Sequence, residues 1–197
     1  MSGPPLLVVI TGPSGVGKDT VLRALARRLG PRAHVAVTAT TRPPRPGERH
    51  GVHYYFLSPE EFESLLQAGG LLENAIVYGH RYGVPRAPLR EALARGKDVL
   101  LRTDVQGARY IKSRHPEAVT VFLLPPSLAE LERRLRRRGK DSPEQVALRL
   151  ETARREMAAA EEFDHRVLND TVTAAVERLL AILEEERSRP GRRPPRI

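Results

Sequence analysis

Residues 6–10 read LLVVI, and they run through TGPSGVGK into DTVLRALARRLG. No other stretch restricts the fold as much. A short, largely β-branched apolar run bounded by turn formers reads as a strand buried on both faces, as in a parallel sheet. Gly12, Gly15 and Gly17 permit a tight loop whose backbone N–H groups turn inward. Val21, Leu22, Leu25 and Leu29 then repeat with helical spacing up to a capping Gly30. A helix that starts directly after such a loop aims its positive end into the concavity, which makes an anion site. Lys18 stands where an ammonium reaches the β- and γ-phosphates of a nucleotide. The motif asks for a Ser or Thr hydroxyl next, as a Mg²⁺ ligand. Here Asp19 fills that place and Thr20 comes one position late.

The order strand, loop, helix continues downstream. Strand-like runs at 34–38, 98–103, 119–124 and 165–169 alternate with helical patterns at 88–96, 127–139 and 143–162, and a last helix opens at Thr171. Such alternation predicts an α/β fold, a parallel sheet flanked by helices on both faces. At 197 residues the chain fits one such unit. Residues 40–62, TTRPPRPGERHGVHYYFLSPEEF, break the rhythm. A connection of that length is usually functional, and its HYYF cluster should be packed.

The net charge of +9 suggests anionic partners. Part of that excess lies in 187–197, RSRPGRRPPRI, with five arginines and no acid, a composition that predicts a disordered tail. The absence of cysteine excludes disulfides and thiolate metal sites. LLVVI is too short for a signal-peptide core or a membrane span, so a cytoplasmic, soluble protein is expected.

Two further constellations carry chemistry. Arg42, Arg45 and Tyr54 could grip one phosphate, because guanidinium matches phosphate in a bidentate fashion. The bland alternative is a solvated basic loop. Arg134 and Arg138 lie four apart in a helical pattern, and Arg149 follows a GKDSP break. That segment reads as a lid over a polyphosphate or as an ordinary charged helix face.

GPSGVGK, ATTRPPRPGE, HYYF, LLENA, YG, DVQG, FLLPPS, RRGKDS and VLND occur here in that order. From about Leu6 to Arg187 the chain thereby resembles the guanylate kinase family of ATP:GMP phosphotransferases. TTRPPRPGE with HYYF downstream is the most specific part. The resemblance implies a P-loop NTPase core (1–36, 85–125 and 156–186), an inserted mixed-β GMP-binding domain (37–84) and a helical lid (126–155). It implies ATP contacts at Gly12, Pro13, Ser14, Gly15, Val16, Gly17, Lys18, Asp19 and Thr20, with Asn169 near the adenine. Arg42, Arg45, Tyr54, Tyr82 and Thr38 would hold the GMP phosphate. Glu73 would accept from guanine N1–H and the 2-amino group, and Asp104 would support that pocket. Lys18, Arg134, Arg138 and Arg149 would be catalytic, with Mg²⁺ alongside ATP. A monomer or homodimer is expected, with no membrane and no nucleic-acid partner.

Three positions depart from the family pattern. Asp19 replaces a small residue after the lysine, Val84 a hydroxyl that would face guanine O6, and Arg102 an acid two places before Asp104. The opposite departures at Asp19 and Arg102 suggest a swapped ion pair, which competes with a Mg²⁺ role for Asp19. Two rivals stay open at this point. Ribose 1,5-bisphosphate phosphokinases resemble the family and often read GKD, and catalytically dead guanylate kinase-like modules bind phosphopeptides.

Overall fold

Residues Leu7–Thr11 form β1, the central strand of a five-stranded sheet. The structure, a computed structural model, describes residues 3–77, 79–137 and 142–197. After β1 come α1 (Lys18–Leu29), β2 (Ala33–Val35), β3 (Ala39–Thr40), β4 (Tyr55–Phe56), α2 (Pro59–Gln67), β5 (Leu71–Val77) and β6 (His80–Pro85). Then follow α3 (Arg86–Ala94), β7 (Asp98–Arg102), α4 (Val105–Arg114), β8 (Val119–Leu124) and α5 (Leu128–Arg137). The chain ends with α6 (Pro143–Ala158), β9 (His165–Leu168) and α7 (Val172–Ser188).

The first sheet has the order β2-β7-β1-β8-β9, with every pairing parallel. Strand alternation splits its apolar residues between two cores. Leu6, Val8 and Ile10 join Leu25, Val121 and Leu179 on the face covered by α1 and α7. Leu7 and Val9 join Leu89, Phe122 and Ile111 on the face covered by α3 and α4. This explains why LLVVI shows no polar alternation: both of its faces are interior. Each such side chain contributes roughly 1.5–3 kcal/mol of apolar burial.

The second sheet has the order β4-β3-β6-β5 and is mixed. β3 pairs with β4 in parallel and with β6 antiparallel, and β6 closes an antiparallel hairpin with β5. Phe62 of α2 packs with Ala39 and Leu71 as its small core. A capping box at Ser58 and Glu61 starts α2, with Ser58 accepting from the Glu61 N–H at 3.1 Å.

The tail of residues 187–197, expected to be disordered, makes contacts with the body in the structure. Helix α7 starts at its expected cap, Thr171, and runs to Ser188. Arg187 is buried and reaches the Asp98 carboxylate at 2.6 Å. Asp98 is wholly buried and also accepts from the Leu6 N–H at 2.9 Å and from Arg32 at 3.2 Å. Farther on, Arg192 reaches Glu186 at 2.8 Å and the Glu117 carbonyl at 2.6 Å, and Ile197 rests on the second core. Composition counts apolar area, and it missed that these arginines meet carboxylates already fixed on the body.

Candidate functional site

The loop between β1 and α1 is built on glycines at positions where any side chain would be strained or crowded. A Cβ at Gly12 would lie 2.5 Å from the Leu123 carbonyl oxygen, a backbone atom that cannot move aside. At Gly15, with φ of +88°, a Cβ would strike Leu135 of α5 at 2.8 Å. The loop therefore sits pressed between β8 and α5. Lys18, the first residue of α1, folds back and donates to the carbonyls of Gly12 at 2.6 Å and Pro13 at 3.2 Å. Burial lowers its pKa and Arg102 adds to that, while Glu156, Asp19 and Asp104 oppose it.

α5 and the segment after β9 close the rear of this loop. Asn169, which is buried, donates from Nδ2 to the Val16 carbonyl at 2.7 Å. Arg134 donates to the same carbonyl at 3.2 Å and to the Asn169 carbonyl at 3.3 Å, while Glu130 holds its Nε at 2.8 Å. Gly15, Gly17, Thr20, Arg134 and Asn169 line one open cavity. From α6, Arg149 donates to Ser14 Oγ at 3.0 Å. Arg138 lies outside the described residues.

Asp19 and Arg102 form an ion pair, so the swapped pair expected from their opposite departures is present. The pair is half-exposed, and Asp19 meets the guanidinium through its Oδ1. Among the described residues no group of three or more His, Cys, Asp or Glu is arranged to hold a metal. A Mg²⁺ carried by polyphosphate oxygens and one protein carboxylate fits this donor set, and an all-protein cage does not.

The second sheet gathers the other cluster. Arg42 follows β3 and lies over the Tyr54 ring at 5.4 Å and the Phe56 ring at 5.8 Å. Tyr54 and Tyr82 meet edge to face with centroids 6.1 Å apart, and Tyr82 lies close enough to Arg42 to help hold its charge. Glu48 takes both of its oxygens to Arg42, at 2.9 and 2.8 Å, and accepts the Arg45 N–H at 2.8 Å. Glu48 was not singled out from the sequence, although it is the one acid in a basic, proline-rich block. The Arg45 side chain is exposed, and Thr38 is half-buried with its carbonyl accepting from Tyr55.

Glu73 on β5 is only 8% exposed. Burial, aided by the Asp104 charge, pushes its carboxyl pKa up to about 7. Asp104 caps α4, accepting the Gly107 N–H at 2.7 Å. Val84, expected at the base-binding face, is 1% exposed and packs into the second core with Leu72, Leu89 and Val105. Its side chain belongs to the interior, which is where an isopropyl group without polar atoms is most stable.

A glycine-rich loop flanked by arginines, set beside a separate Arg–Tyr–Tyr cluster and a buried carboxylate, has the chemistry of a P-loop phosphotransferase. The guanylate kinase family model matches residues 5–186. A curated guanylate kinase from Thermus thermophilus is 54% identical over 186 residues, covering 94% of this chain and 84% of its own. One from Thermosynechococcus vestitus is 56% identical over 167 residues, covering 85% and 87%. The crystal structure of guanylate kinase from Anaplasma phagocytophilum superposes with a TM-score of 0.77 at 32% identity, covering 97% of this chain and 90% of that one. The chain belongs to the guanylate kinase family and is a nucleoside monophosphate kinase.

Proposed function

We propose that the chain transfers the γ-phosphoryl group of ATP to the phosphate of GMP, with a donor cradle at residues 12–20 and an acceptor pocket on the second sheet. Family membership over 5–186 supports the reaction. The observation that carries the residue assignment is the Arg42, Tyr54 and Tyr82 cluster, which combines a cation and two phenols. That cluster is the chemistry of a phosphate grip.

In this reading Lys18 leaves the Gly12 and Pro13 carbonyls for the β- and γ-phosphates. Arg134, Arg138 and Arg149 draw charge off the transferring group, as the residues of 126–155 close as a lid. Mg²⁺, held by ATP and Asp19, would supply further charge neutralisation. The attacking GMP oxygen is already anionic, so no general base is needed, and positioning in line does most of the work. Ionised Glu73 accepts the two donors of the guanine edge, which adenine does not offer. Asp104 stands behind it. Val84 offers guanine O6 no hydrogen bond, which reduces affinity without changing which base is read.

No described helix is long and apolar enough to cross a membrane. We place the reaction in the cytoplasm. A coupled phosphotransfer assay offering ATP with GMP, AMP or ribose 1,5-bisphosphate tests the reading. Turnover is expected with GMP; turnover of the sugar phosphate without GMP turnover overturns it.

A further inference from the structure

Residues 45–48 read Arg-Pro-Gly-Glu, and they turn the chain so that one carboxylate comes back to the arginines before it. Pro46 followed by Gly47 at a φ of +83° has the pattern of a type II turn, and the Glu48 N–H donates to the Arg45 carbonyl at 2.9 Å. The same turn brings the Glu48 side chain round, so that Oε2 accepts the Arg45 N–H at 2.8 Å. Both carboxylate oxygens also accept from Nη2 of Arg42, at 2.9 and 2.8 Å, while Nη1 donates to the Pro43 carbonyl at 2.7 Å. The Tyr54 and Phe56 rings lie against the guanidinium at 5.4 and 5.8 Å. Surface ion pairs usually sample many rotamers and contribute little. This one has less room, since the Arg42 and Glu48 side chains are only 11% and 20% exposed. Nε is not among the Arg42 donors that these contacts use, and it suits an oxyanion.

We propose that Glu48 is a positioning residue of the acceptor site: it fixes the Arg42 guanidinium and the Arg45 backbone in one arrangement before the acceptor phosphate arrives. The inference rests on the acceptor-pocket reading given above. A carboxylate beside a phosphate grip has two opposed effects. Its charge repels the incoming anion, and its hydrogen bonds remove freedom that an arginine would otherwise lose on binding. The repulsion fades as salt is added, because the loop is solvated. The restraint does not fade, because it rests on three hydrogen bonds of 2.8–2.9 Å converging on one carboxylate. What Glu48 prepares is the phosphate half of the pocket. It therefore sets the preference for a nucleotide over its nucleoside, while the base is read elsewhere.

The test is calorimetric titration of the full chain with GMP and, by competition, with guanosine, for the wild type, Glu48→Ala and Glu48→Gln. It is run at low salt and at about 0.5 M salt, where charges act over only about 4 Å. Restraining one long side chain beforehand is worth roughly two- to tenfold in affinity. At high salt Glu48→Ala is expected to bind GMP more weakly by that factor, with guanosine binding and KM for ATP unchanged. Glu48→Gln keeps one acceptor oxygen and should lose less. Equal or tighter GMP binding by Glu48→Ala at high salt overturns the inference, since the carboxylate is then only an opposing charge. Equal losses for GMP and guanosine also overturn it, because the whole pocket then fails and not the phosphate grip. Should a variant not fold, the wild type alone decides: before GMP is added, nuclear magnetic resonance must show slow rotation of the Arg42 guanidinium, and fast averaging overturns the inference. In each of these cases GMP still binds the wild type, so the acceptor reading stands. If the wild type does not bind GMP, the acceptor reading falls and takes the inference with it.

Discussion

Replacing Glu73 by Gln should make the unliganded protein more stable above neutral pH and poorer at its reaction. Glu73 is buried, and its carboxyl is raised from an ordinary 4.5 to about 7. A carboxylate with a raised folded pKa binds its proton more tightly when folded than when unfolded. Stability therefore falls as pH rises from the unfolded value through the folded one. The shift of about 2.5 units corresponds to about 3 kcal/mol, as an order of magnitude, lost mostly between about pH 5 and pH 8. An amide at this position does not titrate, so the substitution should raise the melting temperature by roughly 6–12 °C at pH 8 and far less at pH 5. Calorimetric melts of both proteins at the two pH values measure this. An equal difference at both pH values refutes the argument, because the burial of an ionised carboxylate then plays no part. In the same samples, KM for GMP should rise in the variant, since an amide cannot accept both guanine donors. For the wild type, KM for GMP should fall as pH passes upward through about 7.

Three further outcomes are expected. Lys18→Met should lower kcat by at least roughly 10²–10³-fold, on the scale of a lost preorganised donor, while circular dichroism stays unchanged; a tenfold loss or less would remove Lys18 from the chemistry. Arg187→Ala should destabilise the fold by about 3–5 kcal/mol in urea unfolding, because it leaves the buried Asp98 carboxylate short of a partner; a loss below about 1 kcal/mol would mean that Arg32 suffices. A double-mutant cycle on Asp19→Asn and Arg102→Gln should give a coupling below about 1 kcal/mol, as for other half-exposed pairs. Asp19→Asn should raise the Mg²⁺ concentration needed for half-maximal rate, and an unchanged requirement would remove Asp19 from the metal.

Much of the donor side was legible because it is local. The strand, the glycine loop and α1 are consecutive, and hydrophobic period, glycine spacing and Lys18 all point the same way. The acceptor side was legible only as a cluster of types, Arg42 with Tyr54 and Tyr82. The hairpin of β5 and β6 that brings Tyr82 to Arg42 has no strong periodic signal, because β5 is buried at one end and exposed at the other while β6 is mostly half-buried. Glu48 was not legible for a different reason. It looks like an ordinary solvated acid near arginines, and only the fold reveals that it holds the Arg42 guanidinium. Val84 reads in two ways: the family pattern after YG points to a site position, and in the structure its side chain packs into the second core.

Asp98 has a consequence for how the chain comes to be folded. Its carboxylate joins the first strand's Leu6 N–H to Arg32 and to Arg187, near the far end of the chain. During synthesis from the N-terminus, β1 and β7 are complete long before residue 187 exists. Until then, pairing them would bury a charge lacking its tightest partner, in surroundings where such a charge is strongly disfavoured. The nascent sheet should therefore stay loosely associated and close only when α7 docks. Such a chain is most exposed to misassembly in the interval just before its last helix is made.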